Sequence, residues 1–260
     1  VHDLKRKLNY NSIKCFFDCA NGASVDVVRN VFTGQEIIGD EATGRYINDG
    51  CGAICLEKLK KLCKKNKKIG FAFDGDADRV VAIDEYGEVI DGDMILYILA
   101  TQMIGYGDRV VGTQISSMAL ENSLKDLGIK LIKEKVGAKF VGEKMIKEKI
   151  LLGGERCGHI FLNKFYSDGV AIAIELLNIL NRTKMSFVEL LKGYKNTFIC
   201  NENLEVGDIC ISNYESINNG IRVVVRKSNT ESVLRILVEG EDELGVKEKI
   251  NEIKNSFGAS

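Results

Sequence analysis

The stretch Phe71-Ala-Phe-Asp74-Gly-Asp76-Ala-Asp78-Arg79-Val80-Val-Ala-Ile83 places three carboxylates at alternate positions between two apolar runs. The runs Ile69–Phe73 and Val80–Ile83 are apolar, with aromatic or β-branched residues, which predicts two strands joined by an acidic loop. In an extended or curling loop, residues at i, i+2 and i+4 point to the same side. The segment therefore predicts a strand–loop–strand unit with concentrated negative charge at its turn.

Short strands and helical patterns alternate on both sides of this acidic loop, which indicates an α/β fold. Further strands are predicted over Ile13–Phe17, Arg109–Gly112 and Lys130–Glu134, and helices over Leu56–Lys65, Asp93–Ile104, Met118–Leu127, Lys139–Lys149 and Gly169–Leu180. From about Asn196 the pattern changes to two paired strands, Ile221–Arg226 and Val233–Glu239, and a helix with Val246, Ile250, Ile253 and Phe257 on one face. We therefore predict two α/β domains with mixed sheets, residues 1–92 and 93–193, and a small C-terminal α+β domain, residues 194–260.

The composition is that of an ordinary globular protein. Of the 260 residues, 45% are hydrophobic and 28% are charged, and the formal net charge is −1. This balance does not favour general binding of nucleic acid or of a membrane surface. The longest apolar run, Met94–Ala100, is far shorter than the ~20 residues that a bilayer span needs.

The N-terminus and the cysteines indicate the compartment. The polar segment Val1–Ser12 has no secretory signal. Eight cysteines without a CxxC pair predict buried free thiols in a reducing environment. We therefore expect a cytoplasmic protein. Because the chain starts with Val1, we also expect an N-terminal part of the natural protein to be absent from it.

The acidic loop has the chemistry of a site for a hard cation. Like charges on one side of a loop repel one another unless something neutralises them. Mg²⁺ prefers oxygen ligands in octahedral geometry, so Asp74, Asp76 and Asp78 are candidate ligands for Mg²⁺. The planar guanidinium of Arg79 is suited to hold a phosphate beside the metal.

Three other interpretations of the loop stay open. In an EF-hand, Asp74, Asp76, Asp78 and Glu85 would occupy positions 1, 3, 5 and 12, although Arg79 replaces the required glycine and the flanks predict strands. In an aspartyl-phosphate phosphatase, Asp74 would attack phosphorus and Asp76 would act as general acid and base, but the expected hydroxyl residue near Asp78 is absent. The third interpretation is a solvated, aspartate-rich turn.

A second candidate site is the glycine-rich segment Gly153-Gly-Glu155-Arg-Cys157-Gly-His159-Ile160. Glycines allow a ligand to approach the backbone closely. The carboxylate of Glu155 can accept hydrogen bonds from two adjacent sugar hydroxyls, and His159 has the intrinsic pKa for proton transfer near neutrality. A plain loop with a surface histidine is the competing interpretation.

A third candidate site is the segment Arg226-Lys-Ser228-Asn229-Thr230-Glu231, which links the two C-terminal strands, with Arg235 on the second strand. A guanidinium, hydroxyls and loop N–H groups form a phosphate site where they converge. A polar hairpin without a ligand is the competing interpretation.

Taken together, these motifs resemble the α-D-phosphohexomutase superfamily, and most closely its bacterial branch that acts on glucosamine phosphates. The resemblance covers essentially the whole chain. Besides the three loops it includes Asp18-Cys-Ala-Asn-Gly-Ala23, Asn48 with Cys51-Gly-Ala53, Asp91-Gly-Asp93, Gly112-Thr113 with Ser116 and Met118, Val136-Gly137 with Val141, and Leu234-Arg235 with Glu239-Gly240. Each match is weak or moderate alone, and their combination is specific.

The resemblance implies a four-domain enzyme of which this chain corresponds to domains two to four. The missing domain would carry a phosphoserine in a Thr-Ala-Ser-His-Asn-like motif, which this sequence does not contain. The expected reaction interconverts glucosamine 6-phosphate and glucosamine 1-phosphate through a 1,6-bisphosphate, for amino-sugar nucleotide and cell-wall precursor synthesis. Without the serine domain the chain alone is expected to be inactive.

The resemblance also assigns roles to matching residues. Asp74, Asp76 and Asp78 would bind Mg²⁺, and Arg79 would steady the transferring phosphate. Three residues of the glycine-rich loop would contact the sugar, namely Glu155, Cys157 and His159. His159 is also a candidate catalytic residue. The non-reacting phosphate would be held by Arg226, Ser228, Asn229, Thr230 and Arg235.

Several positions depart from the glucosamine branch and bear on sugar preference. Cys157 replaces a serine, Ala138-Lys139 replaces Asp-Arg, and Asn229 replaces a glycine, as in phosphomannomutase/phosphoglucomutase relatives. Two alternative functions therefore stay open. One is phosphomannomutase/phosphoglucomutase activity, and the other is phosphosugar binding without turnover by a truncated relative.

Overall fold

The computed structural model of the chain describes residues 13–162, 167–205, 214–228 and 233–258, with side chains up to 256. It divides into two compact units. The first contains the described residues up to Ser116 together with Ser123–Tyr194, and the second contains Ser117–Asn122 and the described residues from Lys195 onward.

The first unit contains a mixed sheet in the order β2-β1-β3-β4-β5. Its strands are β1 (Cys15–Asp18), β2 (Glu36–Ile38), β3 (Ile69–Phe73), β4 (Val80–Ile83) and β5 (Val89–Ile90), and α1 (Ser24–Val31) and α2 (Glu57–Asn66) lie between them in the chain. β1 pairs in parallel with β2 and β3, whereas β3, β4 and β5 pair antiparallel. β3 and β4 are thus adjacent, and the acidic loop is their connection.

All residues of β1 and β4, and those of β3 after Ile69, are buried because both faces of this sheet are covered. On one face, Leu59 and Cys63 of α2 pack against Phe16. On the other, Phe17 stacks on Phe32 with ring centroids 4.2 Å apart, and on Phe71 at 5.7 Å. A core of this kind fixes the ends of β3 and β4, and with them the acidic loop.

The same unit contains a second mixed sheet in the order β7-β6-β8-β9. Its strands are β6 (Arg109–Thr113), β7 (Lys130–Glu134), β8 (Leu152–Gly154) and β9 (Ile160–Leu162). The helices in this part of the chain are α3 (Gly92–Met103), α4 (Met118–Asp126), α5 (Ala138–Glu148), α6 (Gly169–Thr183) and α7 (Phe187–Leu190), and the first residues of α4 belong to the second unit. β6 pairs in parallel with β7 and β8, and β8 pairs antiparallel with β9. The glycine-rich loop connects β8 to β9.

The second unit contains an antiparallel sheet in the order β10-β13-β12-β11. Its strands are β10 (Phe198–Glu205), β11 (Tyr214–Asn218), β12 (Ile221–Lys227) and β13 (Val233–Gly240), followed by α8 (Glu243–Gly258). Val246 and Ile250 of α8 pack on Val223, Val225 and Ile236, which lie on one face of the sheet.

This architecture confirms the predicted fold class of α/β with mixed sheets and a C-terminal α+β part. The two C-terminal strands pair as predicted, and Ile253 joins the apolar face of α8, whereas the side chain of Phe257 lies outside the described part. The first strand is shifted from Ile13–Phe17 to Cys15–Asp18. The division into three domains stays a prediction. No helix in the described part of the chain is long and apolar enough to cross a bilayer.

Candidate functional site

The acidic loop begins immediately after β3 and turns sharply to reach β4. The N–H of Ala77 donates to the carbonyl of Asp74 over 3.1 Å, and Ala77 adopts a φ of +63°, which few non-glycine residues occupy. Asp74 is buried with 1% exposure, whereas Asp76 is exposed. One carboxylate oxygen from each of Asp74, Asp76 and Asp78 lies within 4.8 Å of the others. The structure thus brings all three predicted ligands together.

Arg79 neutralises the buried end of this cluster. Its backbone N–H donates to Oδ1 of Asp74 over 3.1 Å and its Nε donates to Oδ2 over 2.5 Å, while Oδ1 of Asp78 lies 3.6 Å from the same Nε. Burial alone would lower the pKa of Arg79, but the charge and hydrogen bond of Asp74 outweigh it and raise that pKa. Arg79 is therefore a fixed cation at the edge of the acidic cluster.

Asp78 is partly buried and lies between positive and negative groups. Burial raises its pKa; the charges of His159 and Arg79 oppose this effect, and those of Asp74 and Asp76 add to it. Its buried Oδ1 has no hydrogen-bond partner in the described part of the chain. An oxygen-only donor set with an unsatisfied buried oxygen fits a hard divalent cation such as Mg²⁺.

The N-terminus of α6 supports the acidic loop from behind. The N–H of Gly169 donates to the carbonyl of Ala77 over 2.9 Å, and the hydroxyl of Ser167 donates to the carbonyl of Asp78 over 2.5 Å. Asp168 caps the helix by accepting from the N–H of Ala171 at 3.0 Å. The positive end of a helix dipole favours nearby negative charge, so α6 stabilises the cluster. No motif in the sequence assigned this role to Ser167 or Gly169.

The backbone of the loop also packs on the segment that follows β1. The N–H of Ala23 donates to the carbonyl of Gly75 over 2.9 Å. A Cβ added at Gly22 would lie 2.3 Å from that carbonyl oxygen, so only glycine permits this approach. The Asp18–Ala23 match, which carried no role in the sequence interpretation, therefore supports the acidic loop.

The glycine-rich loop is held against β4 and next to the acidic cluster. The N–H of Val80 donates to the carbonyl of Gly158 over 3.0 Å, and Gly158 has a φ of +95°. Nδ1 of His159 consequently lies 3.3 Å from Oδ2 of Asp78. Two of the three loops singled out in the sequence therefore form one cluster.

Within this loop, Glu155 is buried with 7% exposure. Its Oε1 accepts from the N–H of Gly137 over 2.9 Å, so one oxygen is already fixed by the protein, which limits the expected pairing with two sugar hydroxyls. Cys157 is exposed, and the prediction of a buried thiol is wrong at this position, because the turn at Gly158 directs this residue outward. The seven described cysteines are free thiols, and Cys210 lies outside the described part.

Asp91 and Gly92 fix the glycine-rich loop to the start of α3. Oδ2 of Asp91 accepts from Nε of Arg156 over 2.9 Å, while its Oδ1 caps α3 by accepting from the N–H of Met94 over 3.0 Å. The N–H of Gly92 donates to the carbonyl of Arg156 over 3.0 Å. A Cβ at Gly92 would lie 2.1 Å from the carbonyl oxygen of Glu155.

The third loop belongs to the second unit, where strand register places two arginines opposite each other. Arg226 on β12 pairs with Arg235 on β13. Like charges at directly opposite positions of a sheet repel unless a nearby negative group compensates them. Ser228 is buried, and its N–H donates to the carbonyl of Val233 over 2.9 Å. The predicted phosphate-binding residues Asn229 and Thr230 lie outside the described residues.

The geometry decides between some interpretations of the acidic loop. The EF-hand interpretation is wrong because the flanking elements are strands β3 and β4 rather than helices. Burial of Asp74 disfavours a fully solvated turn, whereas Asp76 is exposed. Both oxygens of Asp74 accept from Arg79, which disfavours this carboxylate as a phosphatase nucleophile.

Two family models match the chain. The model of phosphoglucomutase/phosphomannomutase α/β/α domain III matches residues 91–197. The model of the phosphoglucomutase/phosphomannomutase C-terminal domain matches residues 215–256.

Curated relatives and solved structures agree with these models. The phosphoglucosamine mutase of Thermotoga petrophila is 38% identical over 97% of this chain and 63% of its own length. That of Proteus mirabilis is 37% identical over 95% of this chain and 61% of its own length. The chain thus spans less than two thirds of these relatives.

A Burkholderia thailandensis phosphoglucomutase/phosphomannomutase family protein superposes with a TM-score of 0.81 at 21% identity, covering 99% of this chain and 64% of that one. Aspergillus fumigatus N-acetylphosphoglucosamine mutase, solved in complex with GlcNAc-6P and magnesium, has a TM-score of 0.79 at 18% identity, over 98% of this chain and 64% of its own. At these identities the superpositions show a common fold.

Proposed function

The chain belongs to the phosphoglucomutase/phosphomannomutase family, and on that premise we propose that it forms the cation-, sugar- and phosphate-binding part of a phosphoglucosamine mutase. The reaction is the interconversion of glucosamine 6-phosphate and glucosamine 1-phosphate through a 1,6-bisphosphate. The observation that carries the proposal is the 3.3 Å approach of His159 to Asp78, because it joins a candidate metal loop to a candidate sugar loop.

Asp74, Asp76 and Asp78 are proposed to hold Mg²⁺ through one oxygen each. The bound cation would offset negative charge on the transferring phosphoryl group. Arg79 adds a permanent positive charge beside it, and its ion pair with Asp74 keeps the guanidinium in place. A positioned guanidinium stabilises charge on a phosphoryl oxygen without reorganising during the reaction.

Glu155 and His159 are proposed to bind sugar hydroxyls. Since Oε1 of Glu155 is fixed by Gly137, Oε2 is the oxygen available to accept from a hydroxyl. His159 is held by Asp78 on its Nδ1 side, which leaves Nε2 to exchange a proton with the sugar. Cys157, exposed between them, is proposed to contact the sugar through its thiol.

The second unit is proposed to bind the phosphate that does not react. Arg226 and Arg235 present guanidinium groups, and Ser228, Asn229 and Thr230 supply hydroxyl, amide and loop N–H donors. Holding this phosphate would keep the sugar in register while its two ends exchange places. The phosphoryl donor is proposed to be a phosphoserine in a further domain, so that the chain alone binds phosphosugar without turnover.

The proposal is tested by calorimetric titration of the 260-residue chain with glucosamine 6-phosphate in the presence of Mg²⁺. We expect binding that is weakened in Glu155→Gln, with Glu175→Gln on α6 as a control outside the loop. Tighter binding of mannose 6-phosphate or glucose 6-phosphate would favour phosphomannomutase/phosphoglucomutase specificity instead. Failure of all three sugars to bind, or equal binding by Glu155→Gln, would refute the sugar-binding role of the loop.

A separate assay addresses turnover. Mixing the chain with a separately produced serine-containing N-terminal segment of the Thermotoga petrophila relative is expected to restore formation of glucosamine 1-phosphate from glucosamine 6-phosphate. The chain by itself is expected to form none. Turnover by the chain alone would contradict the proposed source of the phosphoryl donor.

A further inference from the structure

The side chain of Asn21, which follows β1, binds the segment of residues 41–51 that lies between β2 and α2 in the chain. Asn21 is half-buried, and its Oδ1 accepts from the N–H of Glu41 over 2.9 Å. Its Nδ2 donates to the carbonyl of Tyr46 over 3.0 Å and to Sγ of Cys51 over 3.4 Å. One carboxamide therefore holds the beginning, the middle and the end of this segment.

The backbone around Asn21 is fixed to the same part of the chain. Asn21 has a φ of +52°, a region that asparagine enters more readily than most residues. Its N–H donates to the carbonyl of Gly39 over 2.6 Å, and the carbonyl of Ala20 accepts from the N–H of Asn48 over 2.9 Å. The position of segment 41–51 thus depends on both the backbone and the side chain of this turn.

Segment 41–51 contacts the acidic loop at Gly75, which lies between the first two aspartates. A Cβ added at Gly75 would lie 2.4 Å from Cγ2 of Ile47 and 3.2 Å from Nδ2 of Asn48. The carbonyl of Gly75 also accepts from the N–H of Ala23 over 2.9 Å. The acidic loop therefore packs on two segments, and Asn21 belongs to one of them and is hydrogen-bonded to the other.

We propose that Asn21 is a positioning residue of the cation site: its carboxamide fixes segment 41–51 against Gly75 and so holds the three carboxylates where they bind a divalent cation. The inference rests on the proposed cation-binding role of the acidic loop and adds a residue to it. Groups that orient the ligands of a metal contribute to its affinity without touching it. Asn21 has no charge, so its effect on the cation comes from the position of the loop.

The test is the Mn²⁺ affinity of the 260-residue chain, measured by electron paramagnetic resonance at a temperature where circular dichroism shows each variant to be folded. Asn21→Gly removes the three side-chain hydrogen bonds and tolerates the positive φ. We expect it to weaken Mn²⁺ binding by about tenfold, as is typical when the support of metal ligands is lost. The matched control is Asn219→Gly, at an exposed asparagine with a φ of +50° in the turn between β11 and β12. It is expected to leave the Mn²⁺ affinity unchanged.

A second variant separates position from charge. Asn21→Asp keeps the acceptor for Glu41 but replaces the donor to Tyr46 and Cys51 with an acceptor, and it adds a negative charge. That charge alone would strengthen the binding of a cation. The loss of the donor is expected to outweigh it and to weaken Mn²⁺ binding by about threefold. Equal or tighter binding by Asn21→Asp would refute the positioning role.

The outcomes also distinguish this inference from the cation site itself. If Mn²⁺ binds the wild type and Asn21→Gly equally but binds Asp76→Asn weakly, the role of Asn21 is refuted and the cation site stands. A lower unfolding midpoint of Asn21→Gly with unchanged Mn²⁺ affinity would likewise refute it, because the side chain would then serve the fold alone. Absence of Mn²⁺ binding in the wild type would refute the cation site.

Discussion

The acidic loop and the arginine row, which is the pair of Arg226 on β12 and Arg235 on β13, concentrate opposite charges by different means. In the acidic loop the like charges of Asp74, Asp76 and Asp78 are neighbours in sequence, and one turn between two strands holds them together. In the arginine row, Arg226 and Arg235 belong to different strands and meet through ladder register. The first arrangement depends on a loop and its supports, and the second on the pairing of β12 with β13.

The two regions also differ in how their charges are compensated. The acidic loop contains its own counter-charge in Arg79 and lies at the positive end of α6. The C-terminal sheet compensates Arg222 with buried Glu239. The comparison shows that the acidic loop is compensated by a residue next to it in sequence, whereas Arg222 is compensated by a residue on the neighbouring strand.

The largest expected effect comes from breaking the structural arginine pair. Arg222→Ala leaves the fully buried carboxylate of Glu239 without its cation, which is expected to destabilise the fold by about 3–5 kcal/mol. Arg226→Ala, a matched control on the same strand and face, is expected to cost less than about 1 kcal/mol. Urea unfolding measures both. Equal losses of stability would contradict the distinction between structural and binding arginines.

A smaller effect is expected from filling the contact between α3 and the glycine-rich loop. Gly92→Ala places a Cβ 2.1 Å from the carbonyl oxygen of Glu155, and overpacking of this kind costs about 2–3 kcal/mol. In Gly105→Ala the nearest atom to the new Cβ is 4.0 Å away, so this control is expected to change stability by less than about 0.5 kcal/mol. Thermal unfolding compares the two variants, and equal midpoints would argue against a tight contact.

The acidic loop is tested through its exposed ligand. Asp76→Asn is expected to leave the unfolding midpoint unchanged, because this side chain is exposed. It is expected to weaken Mn²⁺ binding, measured by electron paramagnetic resonance, by at least about tenfold, since even outer-shell changes cost that much. Asp26→Asn on α1, also exposed, serves as the control. An unchanged Mn²⁺ affinity in Asp76→Asn would remove Asp76 from the site.

The smallest expected effect concerns Asp18, whose segment supports the acidic loop. Burial raises the pKa of Asp18, and hydrogen bonds from the N–H groups of Gly52 and Ala20 only partly offset it. A raised folded-state pKa means that the stabilising contribution is complete below the ordinary carboxyl pKa and is lost as pH rises through the folded value.

Asp18→Asn removes this titration. The unfolding midpoint of Asp18→Asn minus that of the wild type is therefore expected to increase from about pH 4, the ordinary carboxyl pKa, towards neutrality. Thermal unfolding over this range is the measurement. A difference between the two unfolding midpoints that is independent of pH would show that burial does not raise the pKa of Asp18.

Most of the elements around the acidic loop follow from the sequence, because β3, β4, α2, α3, α5 and α6 have clear apolar periods, whereas α1 and α7 were not predicted. The strands that sequence analysis missed are short or polar. β8 and β9 have three residues each, and β10 reads Phe-Ile-Cys-Asn-Glu-Asn-Leu-Glu with only a weak apolar alternation. Pairing with β13 along its whole length makes β10 a strand, and this pairing is not a local property.

The clustering of Asp74, Asp76, Asp78 and Arg79 follows from their positions in the chain, because residues so close together in one turn cannot lie far apart. The approach of His159 to Asp78 and the pairing of Arg226 with Arg235 follow from the three-dimensional fold. They join residues of different loops or strands. These contacts depend on strand register and on backbone contacts at Gly92 and Gly158. Burial of the two mixed sheets and of the apolar face of α8 selects one strand register among many alternatives.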